Sequence, residues 1–242
     1  MKNLLLLIVI AAIISSCKKD DVISSISLNK SEITLQHADS IQLVVTPNIE
    51  CTWNSGDANV ATVSKTGLVK GVRIGNTKIF ANYNSLTVEC NVTCTPKSFF
   101  YKEPFYYYGQ SKSYVKGKET RTLYAENPNS LVYRGENSNI TGVLYSFSND
   151  KLESALVGFK DNAGMIKAAE FIQERYIYVG LSGTIIIFKD GKGTCLGLSV
   201  LPDYDFGYYV LYYPETGKKS TKFDIDQYSK IKESFKIMNH ND

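Results

Sequence analysis

Hydrophobic and polar positions follow three rhythms along this chain. Residues 4–14 form an unbroken apolar run. Short alternating segments follow at 26–28, 33–35, 41–46, 51–53, 60–63, 68–72, 77–83 and 86–94, with turn residues between them. A period of two and many β-branched residues predict an all-β sandwich over residues 24–95. Beyond Pro96 the rhythm is mixed. The stretch 111–119 reads as a short helix capped by Ser111, then strands follow at 122–125, 131–134, 142–147 and 152–159. A second helix at 163–175 carries Ile166, Ala169 and Ile172 on one face, and strands follow at 176–179, 184–189, 194–201 and 208–213. Ser148-Asn149-Asp150 and Asp190-Gly191 are the hairpin turns. Two successive helix-plus-four-strand units predict an α+β domain with antiparallel sheets over residues 97–242. Residues 224–238 repeat Ile225, Tyr228, Ile231 and Phe235 at helical spacing, which predicts a last helix, docked on the sheet or free to meet a partner.

The first apolar run follows Lys2 and is too short to span a bilayer, which takes about 20 helical residues. Residues 1–16 therefore read as a secretory signal peptide. The run ends Ile14-Ser15-Ser16-Cys17, which resembles the lipobox of bacterial lipoproteins. The resemblance implies that Cys17 carries the lipid anchor. Residues 17–23 then form the lipidated cysteine and a charged linker. Lys18-Lys19-Asp20-Asp21 resembles the charged signal that sends lipoproteins of Bacteroidota to the outer face of the outer membrane, and a solvated linker has the same composition. The expected location is the outer membrane, lipid-anchored, facing either the periplasm or the exterior.

Inside 24–95, Trp53-Asn54-Ser55, Val60-Ala61-Thr62-Val63, Gly67-Leu68-Val69, Gly71 and Gly75-Asn76-Thr77 resemble the group 2 bacterial immunoglobulin-like domain. Trp53 stands where a sandwich buries its largest side chain, and the glycines mark turns or bulges. The resemblance implies a spacer or adhesive module and carries no catalytic residue. Cys51 and Cys90 share inward parity, so a bridge across the sandwich and free buried thiols both fit an exported protein. Cys195 lies in a strand with no histidine near it in sequence and reads as core. Asp39-Ser40-Ile41 resembles the acceptor triplet of Bacteroidota O-glycosylation, which makes Ser40 the candidate modification site.

Composition narrows the function. Net charge is +3, from 27 Lys/Arg against 24 Asp/Glu, so no global field calls for nucleic acid. Two histidines, His37 and His240, leave little material for a metal site, and neither a metal nor a cofactor is expected. Gly191-Lys192-Gly193-Thr194 lacks the upstream glycine and following helix of a phosphate loop, and reads as a hairpin turn. Asp203 with Asp205 and Glu170 with Glu174 read as solvated carboxylates.

Residues 97–242 hold 26 of the chain's 29 aromatic residues, and that concentration makes this domain the candidate binding head. Tyr106-Tyr107-Tyr108 and the tyrosines of 208–213 are the densest groups. On a strand, Tyr209 and Tyr213 share one face and Tyr208 and Tyr212 the other, so one pair is core. Tyr209 and Tyr213 are the candidate binding face. The helix-and-strand order resembles the fold of β-lactamase inhibitor proteins. The local patterns Tyr108-Gly109, Leu144-Tyr145-Ser146-Phe147, Glu174-Arg175-Tyr176 and Tyr209-Val210-Leu211-Tyr212 resemble an uncharacterised domain of Bacteroidota lipoproteins.

Three functions follow as expectations. The first is a non-catalytic, lipid-anchored envelope or adhesion protein, with an Ig-like stalk and a head that meets a glycan or an envelope or host protein. The second is an inhibitor or assembly factor of another envelope protein. The third, a glycan-active enzyme, lacks a nucleophile motif.

Overall fold

The computed structural model describes residues 23–203 and 207–215. The first nine strands are β1 (Ser27–Leu28), β2 (Glu32–Gln36), β3 (Ser40–Gln42), β4 (Val45–Thr46), β5 (Thr52–Ser55), β6 (Ala61–Val63), β7 (Leu68–Gly71), β8 (Gly75–Tyr83) and β9 (Leu86–Thr95). They form a sheet ordered β2-β9-β8-β5, a second ordered β3-β7-β6, and a β1-β4 ribbon. Alternation places Ile33, Leu35, Ile79 and Val92 opposite Leu43 and Val69 in one core. Val45, Cys51 and Ala81 form a smaller one beside it.

Trp53 is half-buried, where full burial was expected, because its ring spans the seam between these two clusters. Gly67 turns the β6–β7 hairpin at φ +83°. A Cβ there would lie 2.7 Å from both the Leu43 carbonyl and the Trp53 ring. Cys51, Cys90 and Cys94 are free thiols, and they and Cys195 are all buried. The Cys51–Cys90 bridge is not formed, since Cys51 packs in the small cluster and Cys90 in the large one.

The head contains α1 (Lys112–Lys118), β10 (Leu123–Asn127), β11 (Ser130–Tyr133), β12 (Ile140–Ser148), β13 (Lys151–Phe159), α2 (Asn162–Gln173), β14 (Ile177–Ser182), β15 (Ile185–Lys189), β16 (Thr194–Ser199) and β17 (Tyr208–Pro214). Ser111 caps α1 by accepting from the Tyr114 amide, and Asp161 caps α2 by accepting from the Gly164 amide at 2.8 Å. Asn149 and Asp150 both take positive φ in the β12–β13 turn, a conformation their short polar side chains tolerate.

All eight strands join one antiparallel sheet ordered β10-β11-β12-β13-β17-β16-β15-β14. The central strands β13 and β17 are buried on both faces, so they read as continuous apolar runs. One face packs Tyr145, Val157, Phe159, Val210 and Tyr212 against Val115 of α1 and Ala168, Phe171 and Ile172 of α2. The other gathers Leu144, Leu156, Ile187, Cys195, Tyr209 and Leu211.

The two domains meet at Glu174, just past α2. Its carbonyl accepts from the Ile74 amide of the sandwich at 2.8 Å. Its carboxylate accepts from the amides of Lys97 at 2.9 Å and Ser98 at 3.0 Å. Glu174 is therefore buried rather than solvated like a helix-face carboxylate. The helix ends at Gln173, and the side chain turns in toward the linker.

Candidate binding site: an aromatic ledge

The chain between the linker and α1 runs without strand pairing through Phe105, Tyr106, Tyr107 and Tyr108. Strand alternation therefore does not set its rings, and tertiary contacts do. The Phe105 amide donates to the Tyr145 hydroxyl at 3.0 Å. The Gly109 amide donates to Leu152 O at 2.9 Å, and the Leu152 amide returns a bond to Gln110 O at 2.8 Å. Both ends of the segment are thus tied to β12 and β13.

Three near-parallel rings lead outward from the core. Tyr212 is fully buried, Tyr106 stacks on it at 5.5 Å and 16°, and Tyr107 stacks on Tyr106 at 6.3 Å and 10°. Tyr107 ends the series 70% exposed. Phe105 contacts Tyr107 at 5.0 Å and Tyr114 of α1 at 5.7 Å, and Tyr114 is 46% exposed. Lys118 Nζ lies 5.6 Å from the Tyr114 ring. Offset and tilted rings at these separations are favourable pairs, so the ledge is held in shape before any ligand arrives.

A polar layer lies beneath. The Tyr176 hydroxyl donates to Glu103 and lies 3.5 Å from the Tyr106 hydroxyl, and the Tyr101 and Tyr212 hydroxyls share a bond of 2.6 Å. Burial pushes the Glu103 carboxyl above its usual range, with the Tyr176 bond and the Arg175 charge only partly opposing it. Burial likewise raises Tyr106, and Tyr176 is raised well above the ordinary tyrosine value by burial and the Glu103 charge. These hydroxyls stay neutral at physiological pH and offer hydrogen bonds rather than charge.

An ionic triad fixes the base of the ledge. Arg121 pairs with Glu119 at 2.9 Å and with Glu136 at 2.7 Å. Glu136 also accepts the Lys102 amide at 2.7 Å, Arg121 donates to Lys102 O, and Tyr145 donates to Glu119. The segment that carries the rings therefore starts on this triad and is pinned again by Tyr145.

The residues singled out in the sequence fall elsewhere. Tyr209 and Tyr213 are each 3% exposed and present no ring to solvent. The candidate binding face is thus buried, because both faces of β17 are covered. Ser40 is exposed at the start of β3. Asp190 accepts from the Lys192 and Thr194 amides at 2.6 and 2.9 Å, so the glycine-rich run 191–194 is a hairpin turn. Asp203 pairs through its backbone with Gly207, while Asp205, Cys17 and the helix expected at 224–238 lie outside the described residues. Among the described residues no three His, Cys, Asp or Glu side chains gather as a metal site, and no helix is long and apolar enough to cross a membrane. The joining of Glu103 to Tyr176 has no local signal, since 73 positions separate them.

Residues 22–92 match the bacterial Ig-like domain (group 2) family, and the sandwich is a domain of that class. No curated protein matches the chain in sequence. Among solved structures it is similar to domains 5–6 of the S-layer protein SbsC, at 14% identity over 82% of this chain and 86% of that one, with a TM-score of 0.26. The first two domains of human protocadherin-24 give 10% identity over 77% of this chain and 91% of that one, with a TM-score of 0.26. SGBP-B of a Bacteroides ovatus mixed-linkage glucan utilization locus, solved with a mixed-linkage heptasaccharide, gives 16% identity and a TM-score of 0.23. This match covers 79% of this chain and 58% of that one.

Proposed function

We propose that this chain is a lipid-anchored, non-catalytic protein of the bacterial outer membrane, its Ig-like domain a stalk and its head of two helix-plus-four-strand units a glycan binder. The observation that carries the head's role is the ledge. Tyr107 stands exposed on the stacked Tyr106 ring and Tyr114 stands exposed against the tilted Phe105 ring, with neutral hydroxyls behind them. Flat, rigid aromatic faces beside hydrogen-bonding hydroxyls suit the apolar face and rim of a sugar ring. Tyr107→Ala and Tyr114→Ala should each weaken binding to a glycan-array hit about 10-fold, equivalent to about 1.4 kcal/mol, with unchanged melting. An array on which both variants and the parent bind alike would end this reading of the ledge.

Cys17 supports the anchoring half of the proposal, as the lipobox cysteine. Acyl chains stabilise membrane attachment by about 0.8 kcal/mol per buried CH₂. Cys17→Ser should appear as a soluble or unprocessed precursor still carrying residues 1–16, read by membrane fractionation and mass spectrometry. Normal processing with full membrane retention would contradict it. Ser40, exposed on the stalk, is the acceptor we propose for the glycosylation its triplet suggests.

A further inference from the structure

The head carries a second concave site, on the sheet face opposite the ledge. A cavity of about 440 Å³ opens at the β10–β13 end of that face. Strand pairing builds its floor. Val132, Leu144 and Leu156 are cross-strand neighbours, apolar and buried. The adjacent row pairs Gly142 with Gly158, and Arg134 follows Tyr133 in line with them. Two neighbouring strands thus present bare backbone, which leaves a trough about 10 Å wide beside the apolar row. A Cβ at Gly142 would lie 3.0 Å from the Tyr133 carbonyl, so a side chain there would crowd the backbone.

The rim is cationic. The Arg134 guanidinium lies 4.7 Å from the centre of the exposed Tyr124 ring, a cation–π contact that holds it at the edge of the trough. Lys160 stands on the same rim, two positions beyond Gly158. These two are the charged residues of the lining, and both are exposed. Among the described residues neither forms an ion pair with a carboxylate. An apolar floor with a few convergent polar groups is the usual form of a small-molecule site.

We infer that this cavity binds an organic carboxylate with a flat, apolar ring body. The body lies on the two glycines against Leu144 and Leu156. The carboxylate meets the planar guanidinium fork with both oxygens, and Lys160 supplies a second positive charge. About 150 Å³ accommodates a benzene ring, so the cavity has room for two fused rings and their acid group. The site is independent of the ledge, which rests on Tyr212 and the other face of the sheet.

Naphthoate and its uncharged counterpart naphthylmethanol test this on the full chain, by calorimetry and by the amide NMR signals of Gly142 and Gly158. Naphthoate should shift both signals, and naphthylmethanol should bind about 10-fold more weakly. Arg134→Gln should weaken naphthoate by about 10-fold and bring acid and alcohol together. Arg134→Lys keeps the charge without the fork and should recover only part of the loss. The Arg134 side chain is exposed, so both variants should melt like the parent. Tyr107→Ala, which removes a ledge ring, should bind naphthoate as the parent does. Unshifted glycine signals, equal binding of acid and alcohol, or an Arg134→Gln protein with parental affinity overturns the inference. So does tighter binding of naphthyl phosphate than of naphthoate, since the rim then selects a dianion.

Discussion

Replacing Arg121 with alanine is expected to destabilise the head by about 3–5 kcal/mol and to loosen the aromatic ledge with it. The side chains of Arg121 and Glu119 are 3% and 2% exposed, so neither charge has water to fall back on. Without the guanidinium, Glu119 keeps only the Tyr145 hydroxyl and the Thr120 and Arg121 amides. A buried carboxylate stripped of its cation costs more than the pair contributed, which sets the size of the loss. Glu136 is 27% exposed and recovers some hydration, which favours the lower half of that range.

The pH dependence has a definite sign. Burial alone would raise the Glu119 carboxyl. The Tyr145 bond, the backbone amides and the Arg121 charge outweigh it and hold the group below its usual range. Burial would also raise Glu136, and the Arg121 bond and the Lys102 amide reverse it. Groups with depressed folded values stabilise the fold above the unfolded carboxylate value of about 4.3, and lose that contribution as pH falls through the folded value. Denaturant melts from pH 7 down to pH 3 should therefore show an acid-side loss in the parent that is much flatter in Arg121→Ala. A variant within 1 kcal/mol of the parent at pH 7, with the same acid slope and unchanged ledge binding, would mean that the triad fixes nothing.

The sandwich is far more legible in the sequence than the binding ledge. Its strands are half-buried, so Ile33 and Leu35, or Val92 and Cys94, alternate with polar residues and announce the inward face. Helix α1 shows itself through Ser111, whose hydroxyl is a local cap. The ledge has no such periodicity, because Phe105–Tyr108 take their orientation from Tyr145, Tyr212 and Leu152, all distant in sequence. Parity along β17 correctly divides Tyr208 and Tyr212 from Tyr209 and Tyr213. It cannot show that the second pair is covered as well, since alternation reports sides and not what lies on them. Glu174 misleads for a related reason. Its spacing from Glu170 suits an exposed helix face, but the helix stops one residue earlier and the linker amides lie within reach.

Glu174→Ala is expected to release the joint between stalk and head. The carboxylate is the acceptor for both the Lys97 and Ser98 amides, and the residue is only 4% exposed. Truncation leaves two partly buried donors without their acceptor, at about 1–3 kcal/mol each before water enters. The local cost should therefore come to about 2–4 kcal/mol. Arg175 limits the damage, because it still donates to Ser98 O at 2.9 Å and to Phe171 O at 2.9 Å, its guanidinium 3.6 Å from the Phe171 ring centre. The Ile74 bond uses the Glu174 backbone and survives the substitution. The effect should thus concentrate in the linker rather than unfold either core, whose clusters share no residue. Native-state hydrogen exchange reads it directly: 2 kcal/mol corresponds to about 30-fold faster exchange at the Lys97 and Ser98 amides. Glu174→Gln, which keeps one carbonyl acceptor, should fall between the parent and alanine. Equal exchange at both amides in all three proteins would mean that the joint is held by the Ile74 bond and side-chain packing, and that the carboxylate is a bystander.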